Sequence, residues 1–208
     1  PYSYIRTGLL PETTYKFRVR ARCTDPQGNI YTSEWSNTGT GTTIPLGSVC
    51  SNPLEITALP YQVTGANTGF YGDEYDVAQG TPLCGATPPT TNYLAGAEVF
   101  YSYTATQTGN ISVTMTPVGA ASTNSSVFVY TGSCTALTTG CVAGLANSNT
   151  TARVLNFAVT QGQTYYIVIS SSAATQTINY NLLIQQENCL PKPENLNATS
   201  PGVNAVTL

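Results

Sequence analysis

Apolar and polar positions alternate along most of this chain. Alternation at every second residue places the two kinds of side chain on opposite faces of a β-strand. No segment keeps the 3.6-residue apolar period of a helix. The clearest alternating runs, rich in Val, Ile, Thr and Tyr, lie at 97–105, 109–118, 126–132, 153–160, 163–171 and 177–185. The pattern predicts an all-β fold whose short strands form a sandwich or barrel. Thr/Gly- and Pro-rich joints at 38–50 and 185–196 divide the chain, which favours tandem β-sandwich domains.

Two of the links between these runs are very short. TQTGN covers residues 106–110 and TQGQ covers 160–163. Links of this length, with a glycine, are typical of β-hairpins. We therefore predict that the strands on either side of each link are antiparallel neighbours.

The run YKFRVRARC, residues 15–23, carries four of the seven positive charges of the chain. Lys16, Arg18, Arg20 and Arg22 fall on one face of the predicted strand, and the apolar residues between them fall on the other. No aromatic residue of the run shares the basic face, and stacking aromatics are what a single-strand nucleic-acid binder needs. The pattern favours a solvated strand face over a ligand-binding basic stripe.

Composition limits the classes of partner. Only 8% of the 208 residues are charged, the net charge is −3, and there are fourteen tyrosines. Such a chain is expected to fold, because disorder usually needs high net charge and few aromatics. It has no global attraction for nucleic acid, and no apolar run approaches the roughly 20 residues of a membrane helix. We expect neither nucleic-acid binding nor membrane insertion.

Six cysteines and no histidine are present. Without histidine, and without a CxxC pair, the cysteines do not form a typical zinc site. We interpret them as disulfide partners, which predicts an extracellular or cell-surface protein. The missing histidine also leaves the many serines without an activating base, so we expect no enzymatic activity.

The segment GLLPETTYKFRVRARC, followed by SEWSNTGTGTT, resembles the second half of a fibronectin type III domain. Leu9, Pro11 and Tyr15 match the tyrosine corner of that family, in which the phenol hydroxyl bonds to nearby backbone. The resemblance implies that the apolar side of the run fills a sandwich core and that Trp35 packs within it. The last segment, CLPKPENLNATSPGVNAVTL, looks like the start of a second such domain. We predict domain limits of 1–46, 47–187 and 188–208, and expect a window of a longer array.

The central block resembles the pre-peptidase C-terminal (PPC) family of bacterial β-sandwiches. The matching landmarks are YGDEYD, AGAEVFYSYTA, VFVYTGSC and VTQGQTYYIVI, the last with a bulge or turn at Gln161–Gly162. The resemblance implies a jelly-roll-like accessory module of a secreted protein rather than a reaction.

Disulfide pairing follows from these resemblances and from proximity in the pattern. Cys50–Cys84 and Cys134–Cys141 are the predicted pairs within the central block, although six cysteines allow 15 pairings. In related fibronectin-like domains, a cysteine beside the first strand pairs with one at the end of the strand matched here by residues 15–23. Cys23 and Cys189 would therefore find partners outside this chain window.

Two groups of side chains are candidate binding residues. Asp73, Glu74, Asp76 and Glu98 supply hard oxygen ligands that suit Ca²⁺, and the alternative is a solvated turn. Tyr61, Phe70, Tyr71 and Tyr75 lie in a loop-rich stretch and suit a sugar platform, on which rings stack. The alternative for them is packing in the core.

These expectations lead to one functional hypothesis and one rival. The first is a noncatalytic structural or adhesive segment, a repeat of a stalk, adhesin or filament whose partners are neighbouring domains or copies. The rival is a carbohydrate-binding accessory region of a secreted hydrolase, with glycans or host and cell surfaces as partners.

Overall fold

The computed structural model describes residues 5, 6, 8–73, 93–134, 140–187, 199–202 and 205–207. Strands dominate this part of the chain, with two single-turn 3-10 helices among them. In chain order the strands are β1 (Thr14–Phe17), β2 (Arg22–Thr24), β3 (Ile30–Thr32), β4 (Gly39–Thr42), β5 (Leu54–Ile56), β6 (Tyr61–Asn67), β7 (Val99–Thr104), β8 (Gly109–Pro117), β9 (Ser125–Thr131), β10 (Cys141–Asn147), β11 (Arg153–Val159), β12 (Thr164–Ser171), β13 (Asn179–Glu187), β14 (Thr199–Gly202) and β15 (Ala205–Thr207). The predicted all-β fold is confirmed.

Nine of these strands form a two-layer sandwich. The five-stranded sheet has the order β10-β9-β12-β7-β5, and the four-stranded sheet has the order β11-β8-β13-β6. Neighbours are antiparallel except β5, which pairs parallel to β7 at the sheet edge. From β6 to β13, each link crosses between the sheets, with the single exception of β9 to β10. Strands β6 to β13 therefore have the two-sheet, eight-strand arrangement of a jelly roll, and β5 adds a ninth strand at one edge.

The two hairpin predictions are wrong. The link at 106–110 joins β7 to β8 and the link at 160–163 joins β11 to β12, and in both cases the two strands lie in different sheets. A few residues suffice to arch from one layer to the other, so link length alone does not distinguish an arch from a hairpin. The predicted turn at Gln161–Gly162 is present, with Gly162 at φ 80°.

A continuous apolar core fills the space between the sheets. Tyr101 and Ile167 face it from the five-stranded sheet, and Val113, Met115 and Ile184 face it from the four-stranded sheet. The Tyr101 and Tyr180 hydroxyls lie 2.7 Å apart and form a buried hydrogen bond from one sheet to the other. Burial of this pair raises the pKa of both phenols well above the usual range.

A second apolar cluster covers the outer face of the five-stranded sheet. Phe100, Phe128, Tyr130 and Val168 project from its strands and pack with Leu94 and Cys50. Because both faces of this sheet are covered, strands such as β9 are buried at nearly every position. This explains the unbroken apolar runs in VFVY and IVI.

Cys50 and Cys134 form a disulfide, with their Cα atoms 5.5 Å apart. The predicted pairs Cys50–Cys84 and Cys134–Cys141 are therefore wrong. The two cysteines are 84 positions apart in the sequence and are brought together by the fold rather than by sequence proximity. Cys141 is disulfide-bonded too. Cys84 and Cys189 lie outside the described residues. Cys23 is free and exposed.

Arg153, the first residue of β11, is completely buried. Its guanidinium donates to the carbonyl oxygens of Ser125 at 3.1 Å and Asn149 at 2.8 Å, and also to those of Asn147 and Thr151. Burial lowers the pKa of this group. The four carbonyls replace the water that a buried cation needs and tie the β10–β11 loop to β9.

The strands before the sandwich form a ribbon. β1 pairs with β4, and β2 pairs with β3, both antiparallel. The Leu10 N–H donates to the Tyr15 hydroxyl at 2.8 Å, which confirms the hydrogen bond predicted for a tyrosine corner. The same five-residue arrangement recurs in the sandwich, where the Thr160 N–H donates to the Tyr165 hydroxyl at 2.9 Å.

The apolar side of this ribbon does not fill a core in the described structure, contrary to the expectation from the fibronectin resemblance. Phe17, Val19 and Tyr31 on this side are each more than half exposed. Trp35, which was expected to pack in the core, is more than half exposed as well. Their exposure means that no second sheet covers them among the described residues.

Candidate functional site

A short 3-10 turn after β6 positions the candidate aromatic residues. The turn spans Thr68–Phe70, and the Asn67 side chain caps it by accepting a hydrogen bond from the Gly69 N–H at 2.7 Å. Thr68 is fully buried, and its hydroxyl accepts the Ile178 N–H at 3.1 Å. These bonds fix the turn to the segment that precedes β13.

The turn sends its two aromatic residues in different directions. Phe70 is 73% exposed. Tyr71 is half-buried, and its ring packs against Gly47, where a Cβ atom would lie 3.1 Å from the ring and 3.0 Å from Leu54. Gly47 has φ 92°, which other residues rarely adopt. Glycine is therefore required here on both steric and backbone grounds.

Both aromatic residues line a surface cleft of about 330 Å³ between the ribbon and the edge of the sandwich. Its walls combine rings, prolines, aliphatic side chains and one carboxylate. They are formed by Pro11, Glu12, Pro45, Leu46, Leu54, Phe70 and Tyr71. The cleft is at the small end of the roughly 300–1,000 Å³ range of small-molecule sites.

Glu12 is the charged residue of this lining, and the sequence analysis did not identify it. Burial raises the pKa of the Tyr71 phenol, and the nearby Glu12 carboxylate raises it further. Glu12 has φ 50°, in the left-handed region that costs a non-glycine residue roughly 1–2 kcal/mol. The only sequence signal was its place in the turn before Tyr15.

Tyr61, the other predicted aromatic that the structure describes, does not line the cleft. Tyr61 is half-buried in β6 and packs edge-on against Tyr101, with ring centroids 6.0 Å apart. Burial, and then the proximity of Tyr71, raise the pKa of the Tyr61 phenol. Tyr61 begins a strand rather than a loop, so the loop assignment at 61–67 is wrong. Tyr75 lies outside the described residues.

The candidate calcium ligands are only partly described. Asp73 is exposed, and Glu98 is fully buried at the start of the five-stranded sheet. The Glu98 N–H donates to the carbonyl of Gly72, the residue before Asp73, at 3.0 Å. The backbone therefore brings the segments that carry Asp73 and Glu98 together. Glu74 and Asp76 lie outside the described residues, within which no group of three or more potential ligands is found. Calcium binding stays a prediction, and an unchanged melting temperature with EDTA or added Ca²⁺ would discard it.

The basic face of the ribbon is exposed, as predicted. One detail of that prediction is wrong, because an aromatic residue does lie on this face. The Arg20 guanidinium stacks 4.6 Å from the centroid of the Trp35 ring, an arrangement worth about 0.5–1 kcal/mol at an exposed site. Trp35 comes from the neighbouring strand segment, which a single-strand pattern does not show.

No family model and no curated protein matches the chain. Among solved structures, the chain is similar to a Clostridium perfringens structure described as CBM51-2 in complex with GlcNAc and INT domains of ZmpB. The identity is 13% and the TM-score 0.29, over 87% of this chain and 40% of that one. A likeness at this level says nothing about the cleft. The fibronectin type III and PPC resemblances therefore stay predictions. No helix in the described ranges is long and apolar enough to cross a membrane.

Proposed function

We propose that this chain is a noncatalytic structural segment of a secreted, multidomain bacterial surface protein, in which sandwiches follow one another as a stalk or fibre. The observation that carries the proposal is the exposed apolar side of the ribbon β1–β4. An isolated two-stranded ribbon is marginally stable in water, and exposed apolar patches mark interaction surfaces. A second sheet packed on the apolar side would bury it and stabilise the ribbon.

The partner in this proposal is a second copy of the chain. Residues 188–208 of one copy would add strands to the ribbon of the next, so that open sheet edges are paired between copies. Two observations support this arrangement. β14 and β15 pair with each other and with no other described strand, and the Cys50–Cys134 disulfide is typical of an oxidising, extracellular compartment.

The test is the assembly state of the whole chain. We expect oligomers that grow with concentration, measured by light scattering after size exclusion, and filaments under the electron microscope. Val19→Asp, on the exposed apolar side, should abolish assembly because it buries an unpaired charge in the contact.

Val154→Asp is the matched control. Val154 is 48% exposed on β11, at the opposite edge of the four-stranded sheet from β6, and its substitution should leave assembly unchanged. A wild-type chain that stays monomeric at its highest soluble concentration contradicts the proposal.

A carbohydrate-binding accessory region is the second candidate function. The observation that favours it is the cleft, in which the exposed Phe70 ring lies beside Tyr71 and Glu12. Sugar rings present apolar C–H faces that pack on aromatic rings, together with hydroxyls that need hydrogen-bond partners.

Binding on a glycan array, lost in Phe70→Ala, would support this second function. It is independent of self-assembly, so either proposal stands if the other fails.

A further inference from the structure

We propose that the cleft is a composite sugar subsite that selects neutral sugars and excludes acidic ones, with Glu12 as its specificity-determining residue. This inference rests on the second proposed function, glycan binding, and names its ligand class. The site is composite because Glu12 and Pro11 belong to the turn before the ribbon, whereas Phe70 and Tyr71 follow β6 of the sandwich.

The aromatic contribution comes from Phe70. It lines the cleft, and its ring is 73% exposed although a capped turn, anchored by the buried Thr68, holds its backbone in place. Because the backbone is already fixed, less conformational entropy is lost when the ring packs on a ligand. A phenyl ring has no hydrogen-bonding group, so its ligand must offer an apolar face.

The polar contribution comes from Glu12 and Tyr71. A carboxylate only accepts hydrogen bonds, whereas a phenol both donates and accepts. Vicinal sugar hydroxyls match this pair, because hydroxyls that donate to a carboxylate form strong, charge-assisted bonds. The left-handed backbone at Glu12 is a second indication, since strain of this kind collects at binding sites.

Charge decides between neutral and acidic sugars. Glu12 is negative, the described lining contains no positive side chain, and the net charge of the chain is −3. A uronate bound in this cleft would place its carboxylate beside Glu12 without a counter-charge. Such a like-charge contact is an effective means of rejecting the wrong ligand.

The experiment measures binding of the full chain to soluble polysaccharides by affinity gel electrophoresis. The neutral probes are xylan, mannan and mixed-linkage β-glucan, and the acidic probes are alginate and polygalacturonate. We expect retardation by at least one neutral probe and by neither acidic probe. Since the ligand is uncharged, raising the salt concentration should not weaken the binding.

Two variants and a control test the assignment. Phe70→Ala and Glu12→Gln should each weaken binding to the neutral probe about tenfold or more, through the lost stacking and the lost charge-assisted bonds. Glu12→Gln should also raise the affinity for the acidic probes relative to the neutral one. Val154→Ala is the control and should bind as the wild type does, because Val154 is an exposed apolar residue of β11, at the opposite edge of the four-stranded sheet from β6. Glu12→Asn, which tolerates a left-handed backbone, repeats the test if Glu12→Gln lowers the melting temperature.

The outcomes separate this inference from the function on which it rests. Binding to alginate as strong as to the neutral probes, or an unchanged affinity in Glu12→Gln, overturns the specificity assignment. If glycan binding is unchanged in both Phe70→Ala and Glu12→Gln, the glycan binds outside the cleft, and the second proposed function still holds. No binding to any glycan overturns both.

Discussion

Arg153 shows how a single residue can organise a loop. The guanidinium is buried, and four backbone carbonyls from residues 125, 147, 149 and 151 accept its hydrogen bonds. Its planar fork carries five N–H donors, whereas an ammonium group has three and cannot serve all four carbonyls. In the sequence, Arg153 is only a basic residue at the start of an apolar run, so its role comes entirely from the tertiary structure.

Substitution of Arg153 should therefore destabilise the fold even when the charge is kept. We expect Arg153→Lys to lower the free energy of unfolding by about 2–4 kcal/mol, because carbonyls that lose their donor remain buried. Denaturant unfolding followed by tyrosine fluorescence measures this value. Arg18→Lys, at an exposed position, is the control and should change the stability by no more than about 0.5 kcal/mol. Equal stability of the two variants would contradict the role assigned to Arg153.

At the scale of elements, sequence alternation predicted the strands that obey it. The six clearest runs correspond to β7, β8, β9, β11, β12 and β13. β6 was assigned to a loop because a bulge interrupts its alternation: Gly65 has φ 65°, and its N–H donates to the Asn181 side chain at 2.8 Å. β10 also contains a register shift, between Cys141 and Ala143. Bulges break the period on which the prediction rests.

The alternation of apolar and polar residues does not predict which elements that are distant in the sequence contact one another. Phe70 and Tyr71 were identified because they are adjacent aromatics beside turn residues. Glu12 was not, because only the fold brings its turn to the end of β6. The disulfide prediction failed for the same reason, since Cys50 and Cys134 are near each other only after the five-stranded sheet has formed.

The corrected disulfide yields a direct test. Non-reducing digestion with chymotrypsin and mass spectrometry should recover a peptide that links Cys50 to Cys134. The double variant Cys50→Ala/Cys134→Ala should lose about 2–5 kcal/mol of stability, as expected when a long loop is released in the unfolded state. Cys23→Ala, at the free exposed cysteine, is the control and should not change it. A peptide linking Cys50 to Cys84 would contradict the pairing.

For the whole molecule, the Tyr101–Tyr180 hydrogen bond is informative because it joins the two sheets through the core. Burial raises the pKa of both phenols above the ordinary value of 10.0. The folded state therefore favours the protonated form of each phenol. This contribution is complete below about pH 10 and is lost as the pH rises further, because only the unfolded chain ionises freely.

We expect stability to fall above about pH 10 by about 1.4 kcal/mol per pH unit for each of these two tyrosines. Denaturant unfolding at successive alkaline pH values measures the slope, and absorbance of tyrosinate reports ionisation. Tyr180→Phe should lower stability at neutral pH by about 1–3 kcal/mol, because the Tyr101 hydroxyl loses its partner, and should make the alkaline slope shallower. Tyr31→Phe, at an exposed tyrosine, should alter neither. Ionisation of all tyrosines near pH 10 without unfolding would contradict this account.

The Cys50–Cys134 bond also has a consequence for a protein that bears load. When such a chain is pulled at its two ends, the tension passes through the disulfide and bypasses the enclosed stretch. The two cysteines are 84 positions apart, so that stretch would otherwise add roughly 280–300 Å of length. Strands β5 to β9 lie inside that stretch and are shielded from extension. A tether built from such segments would yield only by its remaining strands, and would stop lengthening well before its full contour was drawn out.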